Sequence, residues 1–335
     1  MKAVILAGGE GRRLRSVTGE LPKPMAPILG VPVMERIVKL LRDQGFHDLC
    51  AALCYRPEVI QAHFGDGTRF GVRMEYRVQA EPIGTAGSVL ACRDFWGRED
   101  FLVMSGDAMC DFDLRRLFER HRASGAAVTM ALHPNAEPLQ YGLVLLDRAG
   151  RVRHFVEKPD WPHVVTNLVS TGIYVLSPRA MAYVPDGQTF DFAKHLFPML
   201  LQSGEVIQGV PMEGYWQDIG TPRAYYQCCL DVIDGRLRTD PPLAEETSAP
   251  CDAPEGEPVP CRDRAGLMRA ASEAFMEAGA DFEDGLHFRD GDWDVRVQPD
   301  PNDSALRVRA GSPEAARETA RLLRMMEQTR EDEKP

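Results

Sequence analysis

A short apolar stretch at the start of the chain leads into glycines and basic residues. Residues 4–7 are apolar, as a buried parallel strand is, and Gly8, Gly9, Gly11 and Arg13 follow them. Because glycines lack side chains, backbone N–H groups in such a loop can approach a phosphate closely, and Arg13 adds fixed positive charge. The pattern predicts a strand that feeds an anion-binding loop. The alternative is a surface turn with no ligand.

Lys23 lies between Pro22 and Pro24, which restrict the backbone on both sides of it. Two familiar glycine loops do not fit this region. A Walker loop requires Gly-Lys-Ser/Thr after four spacer residues, and the dinucleotide fingerprint requires a third glycine where this chain has Leu14. The loop is therefore expected to bind phosphate in another way, with Lys23 as a second cation.

Two aspartates stand where a metal ligand would be useful. Asp107 follows an apolar stretch at residues 101–104, and Asp218 lies in a tight segment before a predicted helix. Two such carboxylates suit Mg²⁺, which takes a few protein oxygens and keeps phosphate and water oxygens as its other ligands. Either aspartate alone is as well explained as a helix cap or a turn residue.

Two further motifs carry polar groups. Residues 79–87 form a second glycine loop that leads into a helix, although glycine is common at helix starts in any case. Glu157 and Lys158 end a predicted strand with adjacent opposite charges. One side chain can accept sugar hydroxyls while the other meets a sugar phosphate, and a surface ion pair is the alternative.

The elements that must position these residues alternate between strand and helix. This predicts an α/β fold with a mostly parallel sheet covered on both faces, and ligands at the carboxyl ends of its strands. A strand-rich insertion after residue 126 is expected to complete the pocket. Predicted strands lie at residues 4–7, 49–55, 72–76, 101–104, 127–132, 143–146, 152–156, 171–176 and 206–210, and predicted helices at 33–44, 57–64, from 87, 114–123, 192–201 and up to 233.

Composition changes sharply after the predicted catalytic domain, residues 1–236. Residues 240–261 hold six acidic residues and six prolines with few large apolar side chains, which predicts an exposed linker at 237–262. A small α+β unit is predicted at 263–328, with helices at 265–278 and 313–328 and strands at 286–288, 292–297 and 306–310. Residues 329–335 are expected to form a solvated tail.

The overall composition is that of a globular protein, with 335 residues, 44% of them hydrophobic and 27% charged. No apolar stretch approaches the roughly 20 residues that span a bilayer, so we expect a cytoplasmic protein with no membrane partner. A net charge of −11 argues against a nucleic-acid surface. The eight cysteines form no CxxC pair, which favours buried thiols over disulfides or zinc.

The first glycine loop, read as Leu6-Ala7-Gly8-Gly9-x-Gly11-x-Arg13-Leu14, resembles the signature of the sugar-1-phosphate nucleotidylyltransferases when taken with Pro22-Lys23-Pro24. The resemblance covers about residues 1–235 and implies a Rossmann-like, GT-A-like fold. It implies a nucleoside triphosphate and a sugar 1-phosphate as substrates and Mg²⁺ as cofactor, and it leaves a homo-oligomer open. The implied residues are Arg13, Lys23 and Asp107 for catalysis; Ala7, Gly8, Gly9, Gly11, Gln79, Gly84 and Thr85 for the nucleotide; Gly142, Glu157, Lys158 and Gly172 for the sugar phosphate; and Asp107 with Asp218 for the metal.

Finer features point to one branch of that family. Residues 23–25, 32–35 and 64–67 resemble the mannose-1-phosphate guanylyltransferases, which implies GDP-mannose as product. A glucose-1-phosphate thymidylyl-, uridylyl- or cytidylyltransferase is the rival enzyme. Arg12 stands where the family most often has threonine, and Ser170 stands where asparagine is usual. These departures keep a third hypothesis open, a non-catalytic subunit that senses a nucleotide sugar.

Residues 264–328 are similar to the C-terminal domain of phosphohexomutases. The mutase phosphate loop, Arg-Pro-Ser-Gly-Thr-Glu-Pro, corresponds here to residues 298–304, which lack its arginine and glycine and contain added acids that repel phosphate. The sequence therefore predicts no mutase activity.

Overall fold

The computed structural model describes residues 1–135, 137–237, 257–260, 286–290, 293–299, 305–310, 319–320 and 323. The chain divides into two compact units, Met1–Tyr225 and Tyr226–Pro335. The domain boundaries expected at residues 236 and 262 stay predictions. The expected helix at 265–278 and the tail at 329–335 lie outside the described residues, as do most of the linker and most of the helix at 313–328.

Strands and helices alternate through the first unit, as predicted. Its strands are β1 (Lys2–Leu6), β2 (Pro27–Ile28), β3 (Val31–Pro32), β4 (Asp48–Leu53), β5 (Arg73–Val78), β6 (Phe101–Ser105), β7 (Ala108–Cys110), β8 (Val128–Pro134), β9 (Gly142–Leu146), β10 (Val152–Glu157), β11 (Leu168–Leu176), β12 (Ile207–Pro211) and β13 (Trp216–Asp218). Its helices are α1 (Arg15–Thr18), α2 (Val33–Asp43), α3 (Pro57–Phe64), α4 (Thr85–Leu90), α5 (Arg93–Trp96), α6 (Leu114–Ser124), α7 (Pro178–Met181) and α8 (Phe197–Gln202), and α9 (Pro222–Ile233) follows.

Nine strands form the central sheet, in the order β10-β9-β11-β6-β1-β4-β5, with β8 pairing with β11 and β12. The pairs among β6, β1, β4 and β5 are all parallel. The pairs that β11 makes with β6, β8 and β9 are antiparallel. The predicted α/β fold is confirmed, and the strands of the expected strand-rich insertion extend the same sheet.

The apolar patterns place the helices as expected. Helix α2 buries Val33, Met34, Ile37, Val38 and Leu41. Gly45 follows it with a φ of +86°, a conformation that glycine adopts without strain. The helix predicted to start after Gly87 begins instead at Thr85. Fully buried side chains such as Ile5, Phe46 and Phe101 fill the core around the parallel strands.

The second unit contains a four-stranded antiparallel sheet in the order β14-β17-β16-β15. Its strands are β14 (Glu257–Pro260), β15 (Leu286–Asp290), β16 (Trp293–Pro299) and β17 (Ala305–Ala310). Strands β15 to β17 match the predicted ones. Strand β14 was not expected, because its two prolines fall in the acidic segment that predicts a linker. Across the described residues, no helix is long and apolar enough to cross a membrane.

Candidate active site

The site begins where β1 and β6 end side by side. These strands are parallel neighbours, with Leu6 opposite Ser105, and β4 pairs on the other side of β1. This is a topological switch point, where open α/β sheets bind their ligands. The N–H of Gly106 donates to the Leu6 carbonyl at 2.8 Å. A Cβ at Gly106 would lie only 2.9 Å from that oxygen, so the close approach requires glycine.

A short two-stranded ribbon, formed by β7 and β13, brings the two aspartates together. The strands are antiparallel, with Asp218 opposite Ala108. The N–H of Ile219 donates to the Asp107 carbonyl at 3.3 Å. The ribbon therefore joins a residue that follows β6 to one that lies more than a hundred positions later in the sequence.

Lys23 lies between these carboxylates. Its Nζ is 2.6 Å from Asp107 Oδ2 and 3.0 Å from Asp218 Oδ1. Only 9% of Lys23 is exposed. Gly11 packs against it: with a φ of +66°, a Cβ at Gly11 would lie 2.7 Å from Lys23 Cβ. Gly11 of the first glycine loop therefore packs closely against the Lys23 side chain.

The three charges shift one another's pKa values. Burial opposes the charge on Lys23, but the Asp107 and Asp218 carboxylates outweigh it and raise the lysine pKa. Burial also acts to raise the pKa of Asp107, and the Lys23 charge with the Lys23 and Ser105 hydrogen bonds lowers it overall. Ser105 Oγ donates to Asp107 Oδ1 at 2.6 Å. For Asp218, burial and the nearby Asp107 charge raise the pKa, and Lys23 offsets only part of that rise.

The charged group opens into a cleft of about 420 Å³. The cleft brings together most of the predicted polar residues, which come from well-separated parts of the chain. The predicted residues that line it are Arg13, Lys23, Thr85, Asp107, Gly142, Glu157, Lys158, Gly172 and Asp218. The predicted residues that do not line it are Ala7, Gly8, Gly9, Gly11, Gln79 and Gly84.

The residues around the first glycine loop border the cleft without lining it. Ala7 continues the pairing of β1, donating its N–H to the Ala52 carbonyl at 3.0 Å. A side chain at Gly8 would meet Cys54 Cβ at 3.3 Å, whereas nothing lies within 4 Å of the position that a Gly9 Cβ would take. The Gly9 backbone is therefore the open part of this loop.

The second glycine loop is held by residues outside it, Ser88, Phe190 and Asp191. Ser88 Oγ donates to Gln79 Oε1 at 2.9 Å, while Gln79 Nε2 is buried and has no hydrogen-bond partner among the described residues. Gly84 has a φ of +76°, and a Cβ there would lie 2.5 Å from the Phe190 carbonyl oxygen. Thr85 is a predicted nucleotide contact. In this structure its N–H donates a hydrogen bond to Asp191 Oδ1 at 3.0 Å.

Glu157 and Lys158 lie together at the end of β10 on the opposite wall. Burial raises the pKa of Glu157, and the charges of Lys158 and Lys194 counter only part of that effect. The N–H of Lys158 donates to the Tyr141 carbonyl at 3.1 Å. At Gly142 a Cβ would lie 2.9 Å from Glu157 Oε2, which explains glycine at this position.

Lys194 also lines the cleft and was not predicted. It lies in a π-helical turn, Phe192–Leu196, that runs into α8. In the sequence it resembles an exposed lysine of the helix predicted at 192–201. Only the widened turn, which helices often form at functional sites, brings it to the cleft.

The structure also locates the two residues that depart from the family pattern. Arg12 Nε donates to Glu10 Oε2 at 2.7 Å, and 83% of the Arg12 side chain is exposed. Arg12 therefore points to solvent, outside the cleft lining. Ser170 lines the cleft, and its Oγ shares a hydrogen bond of 3.0 Å with the Tyr174 hydroxyl. Burial raises the pKa of Tyr174 to about 12, so this hydroxyl stays protonated.

Asp107 and Asp218 offer carboxylate oxygens, the protein ligands that Mg²⁺ prefers. Within the described ranges, no group of three or more His, Cys, Asp or Glu side chains could hold a metal ion. Asp107 and Asp218 nevertheless already face one cation, the Lys23 ammonium, from two sides. Mg²⁺ commonly takes only one or two carboxylates and completes its shell with phosphate and water, so these residues fit it. Cys50, Cys92 and Cys110 are buried thiols.

Comparison with known proteins agrees with this geometry. The family described as nucleotidyl transferase matches residues 2–235. The chain is 36% identical over 251 residues to a UTP–glucose-1-phosphate uridylyltransferase of Synechocystis sp., covering 71% of this chain and 65% of that protein. It is 32% identical over 234 residues to a mannose-1-phosphate guanylyltransferase of Mycobacterium tuberculosis, covering 70% and 65%. The chain thus spans about 65% of the length of these curated relatives.

A solved structure has a similar fold. The crystal structure of HddC from Yersinia pseudotuberculosis, complexed with GMP-PN, is 28% identical with a TM-score of 0.59. The match covers 68% of this chain and 97% of that one.

Proposed function

Because the chain belongs to the nucleotidyl transferase family, we propose that it joins a nucleoside triphosphate to a sugar 1-phosphate, forming a nucleoside diphosphate sugar and pyrophosphate. The observation that carries this proposal is the position of Lys23 between Asp107 and Asp218, at the open end of two parallel strands. A buried cation held by two carboxylates beside a polar cleft suits a reaction between two phosphate groups.

In the proposed reaction, a phosphate oxygen of the sugar 1-phosphate attacks the α-phosphorus of the triphosphate. A new P–O bond forms, the bond between the α-phosphorus and its bridging oxygen breaks, and pyrophosphate leaves with that electron pair. Such a transfer requires alignment and neutralisation of charge more than a covalent nucleophile. The attacking group is already an anion, so no general base is required.

Lys23 acts here as a fixed charge. Since its pKa is raised, it keeps its proton at neutral pH and cannot serve as a base. Arg13, which lines the same cleft, steadies the triphosphate from the first glycine loop. Asp107 and Asp218 would hold Mg²⁺, which supplies counter-charge to the phosphates when it is bound.

The opposite wall positions the sugar. The Glu157 carboxylate accepts hydrogen bonds from sugar hydroxyls, and Lys158 and Lys194 supply positive charge for the sugar phosphate. All three residues line the cleft. We place the base near Gln79, outside the cleft lining described above. Gln79 Nε2 is buried and has no hydrogen-bond partner among the described residues, so the side chain must turn before this nitrogen can donate to a base carbonyl.

We propose GTP and mannose 1-phosphate as the preferred pair. The motifs at residues 23–25, 32–35 and 64–67 support this choice, as does the guanylyltransferase relative. UTP with glucose 1-phosphate is the second candidate, because the uridylyltransferase relative has the higher identity, 36% against 32%.

The test is a panel of radiolabelled GTP, UTP, dTTP and CTP, each with mannose 1-phosphate or glucose 1-phosphate. The highest kcat/KM is expected for GTP with mannose 1-phosphate. A preference for UTP or dTTP with glucose 1-phosphate would replace that pair with its rival. If GDP-mannose binds tightly while no pair releases pyrophosphate, the chain is the nucleotide-sugar sensor and the enzymatic proposal is wrong.

A further inference from the structure

The strand that carries Asp218 is fastened at its start by a carboxylate outside the cleft lining. Asp111, the residue after β7, accepts the N–H of Tyr215 on Oδ1 at 2.7 Å. The N–H of Asp111 donates in turn to the Tyr215 carbonyl at 3.3 Å. Asp111 therefore binds both backbone groups of the residue that leads into β13.

The neighbouring residue, Gly214, is fitted to this arrangement. It has a φ of +112°, and a Cβ on it would fall on Asp111 Oδ1. Its carbonyl accepts a hydrogen bond of 3.2 Å from His133 Nε2, so a second side chain holds the same turn. The His133 ring packs against those of Phe112 and Trp216, with centroid distances of 5.8 and 6.2 Å. Residues 214–215 are thus fixed from two directions.

The ribbon beyond this turn is short. Only three residue pairs join β13 to β7, and the last of them is Asp218 with Ala108. The two hydrogen bonds between Asp111 and Tyr215 therefore contribute strongly to the register in which Asp218 pairs. A one-residue slip in that register would turn the Asp218 side chain to the other face of the ribbon.

We propose that Asp111 is a positioning residue that sets the spacing of the Asp107 and Asp218 carboxylates, and thereby the affinity of this site for a divalent cation. The inference rests on the proposed function only in taking those two carboxylates as the metal ligands. Asp111 does not line the cleft, and it acts through the backbone of Tyr215. The alternative is a purely structural hydrogen bond.

Asp113 offers a matched control for that alternative. Its side chain also accepts one backbone N–H, that of Arg116, at 2.9 Å, at the start of α6. Asp113→Ala therefore removes the same kind of bond two residues away without touching the ribbon. Asp111→Asn keeps an acceptor oxygen for Tyr215 and serves as the rescue variant.

The experiment measures Mn²⁺ binding by electron paramagnetic resonance, together with the metal concentration that gives half-maximal turnover. Asp111→Ala is expected to weaken Mn²⁺ binding about tenfold, the effect typical of losing a group that orients a metal ligand. The half-saturating metal concentration rises with it, while the KM for sugar 1-phosphate is unchanged. Asp111→Asn and Asp113→Ala are expected to bind Mn²⁺ as the wild type does.

Folded Asp111→Ala that binds Mn²⁺ as tightly as the wild type would overturn the inference, and so would equal weakening in Asp113→Ala. If Asp111→Ala does not fold, Gly214→Ala decides in the same assay, because its added methyl group displaces the Asp111 carboxylate. A wild-type protein that binds Mn²⁺ but turns over no substrate pair would refute the proposed function. The Mn²⁺ affinities of Asp111→Ala and Asp113→Ala could still be compared, so the inference would still be tested. A wild-type protein that binds no Mn²⁺ would refute the inference itself.

Discussion

The two sides of the candidate site are built differently. The proposed nucleotide side, defined here as Gly8, Gly9, Gly11 and Arg13, follows a parallel strand and offers mainly backbone; of these four residues, Arg13 alone lines the cleft. The proposed sugar side, defined as Glu157, Lys158 and Lys194, lies at the end of an antiparallel strand and in a π-helical turn and offers charged side chains that line the cleft. Backbone contacts depend on glycine and tolerate little change, whereas side chains can be exchanged one at a time. Changes on the nucleotide side should therefore affect kcat, and changes on the sugar side should affect the KM of one substrate.

The largest effect is expected at Lys23, where the two sides meet. Lys23→Met removes the charge between Asp107 and Asp218 and keeps much of the packing. Turnover at saturating substrates is expected to fall on the order of 10²-fold or more, as when one preorganised charge is lost. Pyrophosphate release measures it. Lys39→Met is the control, since Lys39 pairs with Glu35 at 3.1 Å and does not line the cleft. Near-normal turnover in Lys23→Met would remove Lys23 from the mechanism.

A smaller effect is expected when the support behind Lys23 is disturbed. A Cβ at Gly11 would lie 2.7 Å from Lys23 Cβ, whereas nothing lies within 4 Å of the Cβ position at Gly19. Both glycines have positive φ, +66° and +55°, so both alanine variants carry backbone strain of about 1 kcal/mol or more. Only Gly11→Ala should also lower kcat, by about tenfold, because it displaces the lysine. Thermal melts report the backbone strain in each variant, and kcat reports the displacement of Lys23. Equal kcat in Gly11→Ala and Gly19→Ala would contradict a supporting role for Gly11.

The smallest effect is expected on the sugar side, and it depends on pH. Because burial raises the pKa of Glu157, this carboxyl takes up a proton at a higher pH than an exposed glutamate does. As pH falls through that raised pKa, the charged acceptor proposed for sugar hydroxyls becomes a weaker, neutral one, and the KM for sugar 1-phosphate should rise, by about fivefold. The KM is measured from pH 8 to pH 5 in the wild type and in Glu157→Gln. The phosphate titrates near pH 6 in both proteins, so its contribution cancels. If the two KM profiles are parallel, Glu157 does not titrate in sugar binding.

Much of this architecture could be predicted because its signals are local. The apolar stripe at residues 33–44 and the apolar stretch at 101–104 each correspond to one element, α2 and β6. The ribbon could not be predicted in the same way. Its strands have three residues each, too few for any periodicity, and they exist only because they pair with each other.

The candidate site follows the same rule. Family motifs indicate Asp107 with Asp218 as a metal pair and Lys23 as a cation, but they do not indicate that Lys23 lies between the two carboxylates, because Lys23 is 84 and 195 positions away from them. Lys194 had no signal, since a π-helical turn and an α-helix have similar sequences. Gly11 stays a predicted nucleotide contact, and its close packing against Lys23 is a further role that the sequence does not indicate. Side-chain partners across the fold are tertiary facts that a single sequence does not contain.

The Asp107–Lys23–Asp218 arrangement also bears on how the protein reaches its folded state. Two neighbouring half-buried carboxylates repel each other. In many small metal-binding domains the binding of the ion supplies much of the folding free energy, so that the chain unfolds without it. Here the ammonium of Lys23 is part of the chain and neutralises the pair internally. We therefore expect the domain to fold without a bound metal ion, because the counter-charge for the two carboxylates is part of the chain.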